Sequence, residues 1–333
     1  MKIRSARVTR RALLRNASAA SVLLIARSPV TAQTAWPDRS VRIIAPFPAG
    51  GAVDVLVRIL ADQLKDKFGQ SFVVENRSGA GGNIGIATVA SSPPDGATIG
   101  VATVGQFSIN QFLYERMPFD PERDIVAASL TWEYPNVFVV ASDHVPTKTL
   151  PEFIAWAKAR GKISYGSPGV GTTPHLSAAL FATRTNINAV HVPFRGAAQT
   201  IPAMLAGDVT FALDNLASYT ATIESGQMRA LAVTTAERWP TLPNVPTMAE
   251  AGQPDFIVTS WGAFVVPAGT APTVVDRLSA AMREIAADPA VQRRFLVAGA
   301  RCVASTPEQA SARALKERPM WKEMVQISGA KPE

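Results

Sequence analysis

The chain has 333 residues, with 33 basic and 26 acidic side chains, three histidines and one cysteine. A single cysteine excludes an intrachain disulfide framework, so stability must come from a packed core. The formal charge of +7 suggests a nucleic-acid partner, but the placement of the charges removes that reading.

Lys2, Arg4, Arg7, Arg10, Arg11, Arg15 and Arg27 lie in a leader of residues 1–32 that carries no acid. Without them, 26 basic residues face 26 acidic ones. A neutral body has no general attraction for phosphate backbones. The basic start, the stretch Ala17 to Ala26 and the small-residue site Val30-Thr31-Ala32 have the layout of an export signal. Thr9-Arg10-Arg11-Ala12-Leu13-Leu14-Arg15 fits a twin-arginine pattern, though paired arginines also occur in ordinary export signals. The apolar stretch is too short to span a bilayer, and no later one reaches that length. The mature chain is therefore read as a periplasmic protein without membrane insertion, long enough for two lobes.

Ten short runs read as strands: Val41–Ala45, Phe72–Glu75, Thr98–Thr103, Ile125–Leu130, Asn136–Ala141, Ile163–Gly166, Ala189–Val192, Val209–Asp214, Ala230–Thr234 and Ile257–Val266. Amphipathic segments separate several of them. Val53, Leu56, Leu60, Leu64 and Phe68 share one helix face. Thr149-x-x-Glu152, Thr247-x-x-Glu250 and Thr306-x-x-Gln309 are capping-box patterns. The alternation predicts α/β layers with mainly parallel sheets.

Three glycine-rich turns stand between such strands and helices: Pro46–Asp54, Asn76–Asn83 and Gly166–His175. Glycine lets backbone N–H groups converge without a Cβ in the way. Such groups at a helix start form a cradle for an anion. In the first turn Gly50 and Gly51 offer N–H groups and Asp54 lies in the opening helical turn. The plain alternative is a tight βα turn with an acid that suits the helix dipole. In the third, Thr172 and Thr173 add hydroxyls before Pro174, or one of them merely caps the helix.

Other chemistries lack their patterns. The spacing of Gly79, Gly81, Gly82 and Gly85 is not G-x-G-x-x-G, and Gly169-Val-Gly171 meets Pro174 where a small residue belongs. No P-loop or G-x-S-x-G elbow is present. His144, His175 and His191 are far apart and show no metal-ligand spacing. No cofactor and no metal are expected. His175 beside the third turn reads as a packed helix residue rather than a base. Asp214, ending a buried-type strand, either faces a ligand crevice or caps the next segment.

With these residues in place, the chain resembles the periplasmic substrate-binding proteins of tripartite tricarboxylate transporters, often called Bug proteins. The likeness runs from about Trp36 to the C-terminus. It is carried by Trp36-Pro37, Pro46-Phe-Pro-Ala-Gly-Gly51 with Asp54, Val74-Glu-Asn-Arg77, Gly79-Ala-Gly-Gly-Asn-Ile-Gly85 and Pro94-Asp-Gly96. Pro135-Asn136, Gly171-Thr172 with His175-Leu176, His191-Val-Pro-Phe-Arg-Gly196, Asp214-Asn215 and Arg229-Ala-Leu-Ala-Val233 continue it. Leu242-Pro-Asn-Val-Pro-Thr247 with Glu250-Ala-Gly252 and Pro267-Ala-Gly269 complete it.

The resemblance implies an α/β, two-lobed periplasmic binding protein of the type II, venus-flytrap kind with two crossover strands. Asn136–Ala141 and Ile257–Val266 are the natural crossovers. One lobe would comprise residues 36–138 and 257–333, the other 139–256. A small carboxylate would lie between them, held largely by backbone groups and ordered waters, and be passed to membrane permease subunits. A monomer is expected. The family's two carboxylate loops map onto Phe47–Asp54 and Ser167–Thr173. The expected ligand set is Phe47, Ala49, Gly50, Gly51, Asp54, Ser78, Gly79, Ser167, Gly169, Gly171, Thr172, Thr173, His175, Arg195, Gly196 and Asp214.

The chain departs from the family pattern at Ala52-Val53, Ala179, Thr210 and the bulky Trp132-Glu-Tyr134. The resemblance places Phe47, Trp132, Tyr134 and Trp261 near the mouth of the cleft, and Arg195 is the nearest basic side chain. These features favour a mono- or dicarboxylate, aromatic ones included, over a tricarboxylate. Two other functions fit the same sequence: a sensor presenting a bound carboxylate to a signalling partner, and a periplasmic enzyme acting on one. The enzyme lacks a paired acid and base, a nucleophile elbow and a metal set.

Overall fold

The computed structural model describes residues 36–332, so the export-signal reading of residues 1–32 lies outside the described residues. β1 (Val41–Ala45) leads through a glycine turn to α1 (Ala52–Phe68), β2 (Phe72–Asn76), α2 (Asn83–Ala90) and β3 (Thr98–Thr103). A π-helical turn, Gly105–Ile109, comes after β3. Next are β4 (Ile125–Ala141), α3 (Leu150–Arg160), β5 (Ile163–Ser167), α4 (Thr173–Thr185) and β6 (Ala189–Pro193). α5 (Ala197–Leu205), β7 (Phe211–Asn215), α6 (Thr220–Glu224) and β8 (Met228–Val233) precede a long connection. β9 (Thr259–Pro267), α7 (Pro272–Ala287), α8 (Pro289–Val297), β10 (Arg301–Cys302) and α9 (Pro307–Ser328) complete the chain.

The strands form one continuous path, β2-β1-β3-β9-β4-β7-β5-β6, with β8 and β10 also paired to β4. β1 pairs in parallel with β2 and β3, and β5 pairs in parallel with β6 and β7. All pairings of β4 and β9 are antiparallel. The sheet is thus mixed, not mainly parallel as the element order suggested. Two parallel sets meet at an antiparallel seam.

β4 makes the seam. The sequence suggests two strands here, Ile125–Leu130 and Asn136–Ala141. They are one strand, because residues 132–135 pair with β9 and Trp132 and Glu133 also with β10. Pro135 is the last β4 residue paired with β9, opposite Thr259, at the point where β4 passes to β7 and β8. The register shifts between Ala127 and Ser129 and again between Leu130 and Trp132. Such bulges bend a strand and increase its twist. The first part of β4 therefore joins the β3–β9 set, and its last part, Asn136–Ala141, joins β7 and β8. The chain crosses back before β9, where Val258 N–H donates to Thr234 O at 3.0 Å.

Packing agrees with the predicted periodicity. Val53, Leu56, Leu60 and Leu64 are buried against the β1–β3 set and α7. Under β4 and β7, Phe138 contacts Phe153, Phe181 and Phe211 with ring centroids 4.9 Å apart. Such aromatic contacts add roughly 0.5–1.5 kcal/mol each beyond area burial. Thr306 and Gln309 form a complete capping box on α9. Thr247 and Glu250 exchange the same reciprocal bonds, at 3.1 and 2.8 Å, but close a turn rather than a helix. Helix-start chemistry alone does not propagate a helix without an apolar face to bury.

Candidate ligand-binding site

In a sheet of parallel strands, the segments beyond the carboxyl ends lie on one edge and meet there. The segments after β1, β3, β5, β6 and β7 all line one narrow cavity that opens to solvent. Three helices start on it: α1 at Gly51–Val53, α4 at Thr172–Pro174 and α5 at Gly196–Ala198. Their N-cap residues, Gly51, Thr172 and Gly196, make no side-chain cap. Each helix start carries about half a positive charge on its free N–H groups.

One device holds all three starts. The N–H before each is bonded by a side chain four residues on. Gly50 donates to Asp54 Oδ2 at 3.0 Å, Gly171 to His175 Nδ1 at 3.0 Å and Arg195 to Gln199 Oε1 at 3.1 Å. These bonds fix the loops that carry the helix starts to the cavity wall. Asp54 and His175 therefore hold the cradle and do not line it. Asp54 is buried and also bonded by Arg58 and Asn76. Burial alone would raise its carboxyl, but those bonds keep it below the usual carboxylate range.

The candidate residues thus separate into groups. Phe47, Ala49, Gly51, Gly171, Thr172, Thr173, Gly196 and Asp214 line the narrow cavity. Ser78, Gly79, Gly169 and Arg195 line a second, wider cavity that adjoins it, and Phe47 lines both. Gly50, Asp54, Ser167 and His175 line neither. Ser167 Oγ lies 3.0 Å from Gly169 O and 2.6 Å from His191 Nε2, behind the loop. The Thr172 hydroxyl donates to Gly169 O at 2.7 Å.

The aromatic walls are also sorted. Phe47, Tyr134 and Trp261 line the narrow cavity. Trp132 does not; it is fully buried against Gly262, where a Cβ would come 2.6 Å from its ring. Thr103, Gly105, Asn110, Ser218 and Ser260, outside the expected ligand set, also line the cavity. Gly105 carries a readable signal, a glycine after a buried strand, as in the other turns. Ser218 and Ser260 carry none. Ser218 accepts the Ala52 N–H at 3.1 Å, 166 positions away. Ser260 bonds the Thr173 hydroxyl and donates to Asn215 Oδ1 at 3.1 Å and Asn136 Oδ1 at 3.3 Å.

Among the described residues no lysine or arginine lines the narrow cavity, and Asp214 is its one acid. Asp214 accepts from Asn215 N–H at 2.6 Å and from the Tyr219 hydroxyl at 3.1 Å. It is fully buried. Burial raises its pKa to about 7, against the lowering effect of those two bonds. His175 and His191 stack with ring centroids 3.8 Å apart. Burial lowers them to about 4 and about 3, so both stay neutral. The Gly171 N–H bond to His175 Nδ1 agrees with a neutral ring protonated at Nε2.

The family model described as the tripartite tricarboxylate transporter family receptor, TctC, matches residues 56–329. The chain belongs to this receptor family. BugT of Bordetella pertussis is 34% identical over 306 residues, covering 91% of this chain and 93% of BugT. Among solved structures, R. palustris Rpa4515 with adipate is 33% identical with a TM-score of 0.86, covering 90% of this chain and 100% of that one. The periplasmic binding protein BugD is 32% identical with a TM-score of 0.83, over 90% of this chain and 100% of that one. MatC from Rhodopseudomonas palustris with bound malate is 27% identical with a TM-score of 0.80, over 87% and 100%. The fold of this receptor is that of the TctC/Bug periplasmic binding proteins. No helix among the described residues is long and apolar enough to cross a membrane.

Proposed function

We propose that this receptor captures a small carboxylate in the narrow cavity and delivers it, without turnover, to the permease of a tripartite tricarboxylate-type transporter. One observation carries the reading: three helix starts whose N-cap residues make no side-chain cap converge on a cavity that no basic side chain among the described residues lines. Together they offer roughly one and a half positive charges at fixed positions. That suits one carboxylate well, and it falls far short of three. The carboxylates named with Rpa4515 and MatC, adipate and malate, support the class.

The ligand is a mono- or dicarboxylate. Trp261, Tyr134 and Phe47 give the cavity apolar walls for its body. Asp214 disfavours a further carboxylate and accepts a bond from a hydroxyl or amine when ionised. A thermal-shift screen of mono-, di- and tricarboxylates tests this. The largest shifts are expected among mono- and dicarboxylates. A largest shift with citrate, and none with the smaller acids, would overturn the reading.

Export through cleavage of residues 1–32 belongs to the same proposal. N-terminal sequencing of the periplasmic protein is expected to begin near Gln33. An intact Met1 in that fraction would exclude cleavage.

A further inference from the structure

We propose that the wider cavity is a second anion subsite, centred on Arg195, which takes the far carboxylate of an elongated dicarboxylate whose near carboxylate sits on the three helix starts. The inference rests on the carboxylate reading of the narrow cavity. Four observations lead to it.

The two cavities adjoin, sharing Phe47, Pro48, Gly81 and Pro168 in their walls. A single extended molecule can therefore occupy both. Adjacent residues of the chain serve the two chambers. Gly196, the start of α5, lines the narrow one, and Arg195 lines the wider one. Consecutive Cα atoms are about 3.8 Å apart, so the guanidinium lies within a side chain's reach of the α5 start.

Among the described residues, Arg195 is the only charged side chain lining the wider cavity. Its side chain is exposed and makes no ion pair or hydrogen bond among the described residues; its backbone is held by Gln199. Arginine's planar fork is well matched to a carboxylate. The charge count agrees. Two carboxylates exceed the charge that the helix starts supply by about half a unit, and Arg195 adds one.

The glycine turn that the narrow cavity leaves mostly unused forms part of the wider cavity's wall. Gly79, Ala80, Gly81 and Gly82 all have positive φ, from 47° to 131°. A run of left-handed residues bares backbone rather than side chains. This part of the lining is thus small and uncharged.

The test uses acids matched in chain length: hexanoate against adipate, and octanoate against suberate, by calorimetry. The wild type is expected to bind each diacid about five- to tenfold more tightly than its monoacid, the size of a charge-assisted bond in a wet site. Arg195→Gln is expected to close that gap to within about twofold and leave the monoacid affinities unchanged. Arg195→Lys is expected to restore part of the gap. The exposed position predicts an unchanged melting temperature for both variants. Equal losses for mono- and diacids in Arg195→Gln, or no loss for either, would overturn the subsite while the narrow-cavity reading stands. A wild type that binds monoacids but gains nothing from a second carboxylate would do the same. Binding of none of these acids would overturn both readings.

Discussion

The indole N–H of Trp261 donates to Glu317 Oε2 at 2.8 Å. The Trp321 indole donates to the same oxygen at 3.1 Å. Trp261 stacks on Phe107 with ring centroids 5.6 Å apart and lines the narrow cavity. Arg313 lies over its ring, 5.4 Å from the centroid, and bonds Glu317, Glu133 and Thr259. The C-terminal helix α9 thereby fixes a wall of the candidate site through one carboxylate.

Glu317→Ala leaves two buried indole donors without their acceptor. The cost is about 2–6 kcal/mol, from about 1–3 for each unsatisfied donor. The melting temperature is expected to fall, tryptophan emission to shift, and ligand affinity to weaken. Glu317→Gln keeps one acceptor and is expected to do less. Unchanged emission and affinity in the alanine variant would separate α9 from the site.

Gly51→Asp separates fold from binding. Gly51 has φ −85° and ψ 173°, a conformation any residue adopts. A Cβ there meets only Pro48 O, at an ordinary 3.6 Å. Aspartate is a good N-cap, better than glycine by a few tenths of a kcal/mol. The variant is expected to fold normally, gain slightly in stability and lose at least about a hundredfold in affinity, because its own carboxylate occupies the cradle. Gly226→Asp, in an open turn at φ 74°, is expected to cost about 1 kcal/mol of stability and no affinity. Calorimetry on the two variants checks the contrast.

Binding of a plain carboxylate is expected to weaken as pH rises through about 7, where Asp214 ionises inside the cavity. The neutral carboxyl tolerates or donates to the ligand, whereas the ionised form repels it. Above that point the dissociation constant is expected to rise by up to about tenfold per pH unit. Asp214→Asn should give a flat profile between pH 6 and 8. A wild-type profile equally flat in that window would remove Asp214 from the site.

Stability carries two opposed pH limbs. The folded pKa of Asp214 is raised, so its contribution is complete below the unfolded value near 3.8 and is lost as pH climbs to about 7. His175 and His191 are depressed. Their contribution is complete above about 6.5 and is lost as pH falls toward about 4 and about 3. In the parent these limbs offset each other between pH 4 and 6.5. Urea denaturation of Asp214→Asn is expected to show a steeper acid loss there, since only the histidine limb remains. His191→Phe, which keeps a flat ring on Tyr165, should flatten it.

The elements with strong local patterns were legible before the fold. The α1 face of Val53, Leu56, Leu60 and Leu64 packs as its spacing requires. The turn at Gly50-Gly51 sits between β1 and α1, and the α9 start is capped as Thr306 and Gln309 indicate. The narrow cavity was partly legible, because its first and third glycine turns precede helices in the sequence. The α5 start was reached only through Arg195 and Gly196, without any sign that it would face the other two helix starts. Trp132 misled, since a bulky residue next to a crossover reads the same whether its ring enters a cleft or covers Gly262.

The sequence by itself determined the local chemistry: which strands run into glycine turns, which helix face is apolar, and the family to which those motifs belong. Tertiary structure decided which of these parts meet. β4 became one seam because its middle pairs with β9 and β10, partners more than 120 positions away. Ser218 and Ser260 joined the cavity only because β7 and β9 deliver them to α1 and α4. Asp214 acquired a pKa near neutrality only on burial. Spacing along a chain governs backbone conformation and periodicity. Convergence, desolvation and hydrogen bonding across the sheet arise from contacts that no short window of sequence contains.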